Sequence, residues 1–132
     1  MAAENNVVLL DFSEPLIVMR MVGVPDTAEM LRSLAEIERV TIGWKFNITL
    51  VDLSRQTEAP SLETRRAIAE APKGEQVSRG TAIFGASFAM RTIGALLVNV
   101  MNMKQKNASV TKFFTTEAEA RAWLQQRADM PE

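Results

Sequence analysis

The stretch KFNITLVDLS, residues 45–54, is the clearest buried strand in the sequence, because it is short, apolar and rich in β-branched residues. Helical patterns flank it on both sides. Before it, Asp26 and Glu29 have the spacing of a capping box, and Gly43 ends the predicted helix. After it, a helix is predicted over 61–71, with Ser61 as its N-cap and Pro72 as its terminator. The apolar stripe of the first helix consists of Leu31, Leu34, Ala35 and Ile37.

The remaining segments extend this alternation to both ends of the chain. VVLLDF and LIVMRMVG form a predicted hairpin over 7–23, and GTAIFGA and SVTKFF are predicted strands at 80–86 and 109–114. Ser87 caps a long apolar helix, and Thr116 with Glu119 opens a last helix through a second capping box. The order β-β-α-β-α-β-α-β-α predicts one α/β domain over 1–132, with a mixed, mostly parallel sheet and about four helices.

The composition disfavours an enzyme. The 132 residues carry 15 basic and 16 acidic side chains, a net charge of -1, which gives no field to recruit nucleic acid. The chain has no cysteine, histidine or tyrosine. It therefore lacks thiolate catalysis, the commonest general base and the commonest transition-metal ligand. We expect no catalytic activity, no cofactor, no metal and no nucleic-acid partner.

The sequence also lacks the signals of export or membrane insertion. The N-terminus, MAAENNVVLLDF, has no basic region and only a short apolar run, unlike a signal peptide. Arg91, Asn99 and Asn102 interrupt the best candidate for a transmembrane helix. We expect a cytoplasmic protein, with a peripheral position at the membrane left open.

The segment KFFTTEAEARAWL (112–124), preceded by AIFGASFAMR (82–91), resembles the SpoIIAA-like family. That family belongs to the STAS fold group and is related in architecture to the CRAL-TRIO lipid-binding domains. The resemblance implies a regulatory or ligand-binding module. The motif residues also have structural explanations, since Phe113, Phe114, Trp123 and Leu124 suit a core. Fold alone does not fix function.

The anti-sigma antagonists of this group carry a phosphorylatable serine after the central strand, in a pattern like Asp-Ser-Ser-Gly-Leu. The corresponding segment here is VDLSRQTEAPSLETR (51–65), which lacks the serine pair and the glycine. Ser54 remains the phosphorylation candidate. The alternative function is that of an anti-sigma-antagonist-type regulator that is switched by phosphorylation of this serine.

Three residues are candidates for binding a ligand or anion at the carboxyl ends of the strands: Asp52, Ser87 and Arg91. Ser87 at a helix N-terminus, with Arg91 one turn on, suits a phosphate or carboxylate. The favoured explanation of Ser87 is nevertheless an N-cap, and that of Asp52 is a strand-end residue that forms hydrogen bonds or is solvated. An enzyme that uses Asp52 with Ser54 or Arg91 is the third and weakest hypothesis.

The stretch SFAMRTIGALLVNVMNM (87–103) carries most of the functional information. Its apolar side chains cover an arc of roughly 220°, about twice what a helix on a sheet needs. We expect a protein partner or second copy, an apolar or lipid-like ligand, or a membrane surface to cover the excess. Lys104, Lys106 and Lys112 lie just beyond this helix and suit an anionic lipid surface. The predicted interaction surface consists of Phe88, Leu96, Val98 and Met103.

Overall fold

The computed structural model describes residues 6–71, 77–103 and 110–131, with side chains described everywhere in these ranges except 97–103. Nine elements lie within these ranges, and they follow the order predicted from the sequence. They are β1 (Val7–Ser13), β2 (Leu16–Gly23), α1 (Thr27–Val40), β3 (Asn47–Gln56), α2 (Leu62–Glu70), β4 (Ser78–Phe84), α3 (Phe88–Met103), β5 (Thr111–Phe114) and α4 (Glu117–Ala128).

The five strands form one sheet in the order β1-β2-β3-β4-β5. The hairpin strands β1 and β2 are antiparallel, whereas β2, β3, β4 and β5 are parallel neighbours. A helix separates each pair of parallel strands, as such crossovers require. The predicted mixed, mostly parallel α/β sheet is confirmed.

Two apolar clusters cover opposite faces of this sheet. Successive residues of a strand point to opposite faces, so Val18 and Met19 of β2 belong to different clusters. The cluster under α4 consists of Val18, Ile48, Leu50, Ala82, Phe84, Ala120 and Leu124. The cluster under α1 and α2 consists of Val8, Met19, Met21, Met30 and Ile68.

The predicted helix N-caps are confirmed. Asp26, Ser61 and Thr116 each accept a hydrogen bond from the backbone N–H three residues on, and Ser87 accepts one from Met90. The predicted inner face of α4 is also confirmed, since Ala120 and Leu124 are buried and Trp123 packs beside them. These features depend on residues within one turn of each other, and the sequence specifies them locally.

The apolar stripe predicted for α1 was partly wrong. Leu31 and Ala35 are exposed, whereas Met30 and Ser33 are buried. Positions 30, 33, 34 and 37 face the sheet with the i, i+3, i+4, i+7 spacing of a helix, so only Leu34 and Ile37 of the predicted stripe lie on this face. Ser33 tolerates burial because its hydroxyl donates to the Glu29 carbonyl at 2.8 Å.

The strand boundaries also differ from the prediction. β3 spans Asn47–Gln56, so it begins two residues after and ends two residues after the bounds predicted for this strand. β4 begins at Ser78 and ends at Phe84, and Gly85 follows with a φ of 80°. α1 ends at Val40 with Thr41 as its C-cap, and Gly43 lies in the turn that follows. Pro72, the predicted terminator of α2, lies outside the described residues.

Candidate functional site

An ion-pair network joins the carboxyl-terminal parts of β2 and β3 to the start of α4. Arg20 of β2 donates to Asp52 of β3 at 2.7 Å through Nη1. The same guanidinium donates to both carboxylate oxygens of Glu117, at 3.1 and 3.2 Å. Glu117 also accepts from Arg121 at 2.8 Å. The geometry fixes the first turn of α4 against the sheet.

Asp52 is the most buried member of this network, at 5% exposure. Burial, the strongest single influence, acts to raise the pKa of Asp52. Hydrogen bonds from the Ser54 hydroxyl, the Ser54 backbone N–H and Arg20 together outweigh it, and the pKa lies below its ordinary value. Asp52 is therefore a carboxylate at neutral pH, which does not favour a role as proton donor.

The candidate ligand residue Asp52 is thus engaged within the protein. One oxygen accepts from Ser54 at 2.6 and 2.8 Å, and the other accepts from Arg20. A buried anion in this position repels a phosphate or carboxylate. These contacts account for Asp52 as a strand-end residue that forms hydrogen bonds, and ligand binding by Asp52 stays a prediction.

The phosphorylation candidate Ser54 lies within β3, seven residues before the N-cap of α2 at Ser61. Its side chain is exposed, and its hydroxyl donates to Asp52. Gly85 passes directly over its backbone: a Cβ at Gly85 would lie 2.7 Å from the Ser54 nitrogen. A phosphate at Ser54 would replace a hydrogen bond to a carboxylate by a like-charge contact.

We predict that Ser54→Asp lowers the free energy of unfolding by about 1 kcal/mol and leaves ligand and surface binding unchanged. The added carboxylate faces Asp52, whereas Ser54→Ala removes only the hydroxyl hydrogen bond. Denaturant titration measures the stability of both variants, and co-sedimentation with lipid vesicles measures their binding to a membrane surface. Loss of binding in Ser54→Asp with normal binding in Ser54→Ala would establish a phosphorylation switch instead.

Ser87 and Arg91 lie at the start of α3, on the side of the sheet opposite Asp52. The Ser87 hydroxyl accepts from the Met90 backbone N–H at 3.2 Å, which is the N-cap arrangement. Arg91 donates to the Phe114 carbonyl at the end of β5 at 3.5 Å. Both side chains therefore have structural partners, and anion binding at this helix start stays a prediction.

The described part of α3 contains no buried residue, although α3 is the most apolar helix of the chain. Phe88 is 86% exposed and Leu96 is 62% exposed. Gly94 faces Phe113 of β5, so this side of α3 packs on the sheet while the face bearing Phe88 does not. The side chains of Val98 and Met103, the other two residues of the predicted surface, lie outside the described residues.

Across the described ranges, the structure contains no group of three or more acidic, histidine or cysteine side chains that could hold a metal ion. Within the same ranges, no helix is both long enough and apolar enough to cross a bilayer.

Comparison with known proteins identifies the fold. No protein-family model matches the chain, and no curated protein matches it. Among solved structures, the chain is similar to an uncharacterised protein of the DUF3478 family from Shewanella loihica PV-4, which has a SpoIIAA-like fold. The two share 18% identity with a TM-score of 0.62, over 89% of this chain and 92% of the other. The chain has a SpoIIAA-like fold, which confirms the resemblance seen in the sequence at the level of fold.

Sequence reasoning missed Arg20 and Glu117. These residues lie 32 and 65 positions from Asp52, so no local spacing connects them. One signal was available: Arg20 has the same parity in β2 as the buried Val18 and therefore points toward the α4 face. A charged residue on a core-facing position requires a partner, and Asp52 on the neighbouring parallel strand is one.

Proposed function

We propose that this chain is a non-catalytic binding module that attaches peripherally to an anionic bilayer surface through the exposed apolar face of α3. The observation that carries the proposal is the exposure of Phe88 and Leu96 on a helix whose described part has no buried residue. An apolar helix that its own domain leaves uncovered indicates a surface that binds something else.

The free energy available from this face is substantial. Full burial of a Phe or Leu side chain contributes roughly 1.5–3 kcal/mol each. Phe88 and Leu96 are two helical turns apart, and Ala95 between them is also exposed. Insertion of such a face into the boundary between headgroups and acyl chains recovers part of that free energy without spanning the bilayer.

The charge distribution favours an anionic surface. Residues 76–116, which include β4, α3 and β5, contain five Lys and Arg residues and no Asp or Glu. All 16 acidic residues lie outside this segment. A basic and apolar segment on an otherwise acidic chain attracts the headgroups of anionic lipids, at about 1 kcal/mol per cation close to the surface.

The same charge distribution argues against a symmetric dimer through this face. In a two-fold interface each patch meets its own copy, so α3 and the segment around it, which carries cations in its sequence, would meet an identical segment. That segment offers no carboxylate to pair with them. Like charges at an interface cost free energy, and a bilayer containing anionic lipids avoids this cost.

The non-catalytic part of the proposal is supported by the state of the polar site. Asp52 is held as a carboxylate by Ser54 and Arg20, and Glu117 is paired with two arginines. These contacts tie β2, β3 and α4 together and account for the arrangement without a substrate.

We expect the double variant Phe88→Ser/Leu96→Ser to bind vesicles at least about tenfold more weakly than the unmodified protein, because two inserted apolar side chains are lost. Co-sedimentation with vesicles of equal parts phosphatidylglycerol and phosphatidylcholine measures the binding. Vesicles of phosphatidylcholine alone should bind the unmodified protein more weakly.

The matched control is Leu9→Ser/Ile42→Ser, which removes two exposed apolar side chains outside α3. This control should bind vesicles normally. Analytical ultracentrifugation tests the alternative that a second copy of the chain covers this face. That alternative would be shown if the unmodified protein is a dimer, Phe88→Ser/Leu96→Ser is a monomer, and neither protein binds vesicles.

A further inference from the structure

A cavity of about 410 Å³ lies at the end of the sheet where the parallel strands β3 and β4 begin. It is separate from the network of Arg20, Asp52 and Glu117. Lys45 and Phe46 precede β3, Val77 precedes β4, and Arg127 belongs to the last turn of α4. Arg79 of β4, with Met130 and Pro131 beyond α4, completes the lining. The cavity therefore combines three cationic side chains with four apolar ones, and none of these seven residues is acidic.

Contacts to backbone carbonyls and an aromatic ring hold the two arginines in place. Arg79 donates to the carbonyls of Ala128 and Met130 at 2.8 and 3.0 Å, and its guanidinium carbon lies 3.8 Å from the centre of the Phe46 ring. Arg127 donates through Nε to the Arg79 carbonyl at 2.7 Å. Side chains fixed in this way lose little conformational entropy when a ligand arrives.

These contacts give both arginines a structural role at the end of α4, where cations also complement the helix dipole. That role does not account for Lys45, which is exposed and comes from a different part of the chain. It does not account for the apolar lining of an open cavity either. The volume lies within the range of small-molecule sites, roughly 300–1,000 Å³.

We propose that this cavity binds a small organic anion, a phosphate ester or carboxylate attached to a compact apolar group. The cationic side chains of Lys45 and Arg127 attract the anionic group, and Phe46 and Met130 contact the apolar group. This site is separate from the α3 face, and its occupation does not depend on vesicle binding.

Phenyl phosphate is a suitable probe, because it joins a dianionic group to an aromatic ring. We expect the full chain to bind it with a Kd of about 1 mM or tighter, measured by chemical-shift titration of backbone amides. The largest shifts should fall at residues lining the cavity. Phenol, which lacks the charge, and inorganic phosphate, which lacks the ring, should each bind more weakly.

Lys45→Gln should weaken phenyl phosphate binding about tenfold, because it removes one charge-assisted contact from an exposed position. Lys112→Gln, at an exposed lysine of β5, is the matched control and should leave the affinity unchanged. Lys45→Gln should also leave binding to phosphatidylglycerol vesicles unchanged, which distinguishes a soluble anion from a lipid headgroup.

The proposal fails if the unmodified chain shows no saturable shifts with phenyl phosphate, or if Lys45→Gln and Lys112→Gln weaken it equally. It also fails if Lys45→Gln abolishes vesicle binding while phenyl phosphate does not bind. In that case the cationic side chains of this cavity bind lipid headgroups and not a small soluble anion.

Discussion

Gly85→Ala should lower the free energy of unfolding by about 3 kcal/mol or more. Gly85 has a φ of 80°, in the left-handed region that disfavours an L side chain. A Cβ there would lie 2.7, 2.8 and 2.9 Å from the nitrogen, Cα and Cβ of Ser54. Backbone strain and a contact with the backbone of a central strand add to each other, and the strand cannot move aside cheaply.

Gly43→Ala is the matched control for this prediction. Gly43 has a similar φ of 88°, but a Cβ there would meet nothing within 4 Å. It should therefore show only the conformational cost, about 1–2 kcal/mol. Denaturant unfolding followed by circular dichroism measures both variants. Equal losses in the two would mean that the close approach of Gly85 to Ser54 contributes nothing.

Arg20→Met should cost about 3 kcal/mol at neutral pH. The change keeps an unbranched side chain but leaves the Asp52 carboxylate, at 5% exposure, without its cation. Removal of one partner from a buried ion pair leaves a charge that neither water nor protein compensates. Arg121→Met is the control. It removes the more exposed partner of Glu117 and should cost less than about 1 kcal/mol.

The cost of Arg20→Met should depend on pH. The pKa of Asp52 lies below its ordinary value for the reasons given above, and hydrogen bonds from Arg20 and then Arg121 lower the pKa of Glu117. Groups with a lowered pKa in the folded state stabilise it above the pKa of the unfolded chain, about 4, and lose this effect as the pH falls through the folded value.

Unfolding of the unmodified protein and Arg20→Met over a series of pH values measures this dependence. The difference in stability between them should be full near pH 7 and shrink at more acidic pH, as the carboxylates take up protons. If the difference in the free energy of unfolding stays constant down to acidic pH, Arg20 acts through packing alone.

The sequence predicts the local features of this fold well. Capping at Asp26, Ser61, Ser87 and Thr116 depends on residues three positions apart, and each cap forms as expected. The order of elements follows from the alternation of strand and helix patterns around 45–54. Two of the four positions predicted for the inner face of α1 were wrong, because Met30 and Ser33, which tertiary packing buries, do not stand out from their neighbours.

Contacts between distant segments account for what the sequence did not predict. The network of Arg20, Asp52 and Glu117 joins two strands and a helix, and the cationic cavity joins residues before β3, along β4 and beyond α4. Neither has a spacing that a single segment could reveal. The uncovered face of α3 was predictable, since an apolar arc wider than a sheet can cover is visible in the residues themselves.

A fluorescent probe on α3 tests whether this helix enters the bilayer surface. The chain contains no cysteine, so Ala95→Cys introduces a single site for an environment-sensitive fluorophore on the exposed side of α3, two turns from Phe88. Ala118→Cys places the same fluorophore on the exposed side of α4. With vesicles of equal parts phosphatidylglycerol and phosphatidylcholine, we expect a blue-shifted, brighter emission at position 95 and an unchanged emission at position 118. An unchanged emission at position 95, or equal shifts at both positions, would contradict attachment to the bilayer through α3.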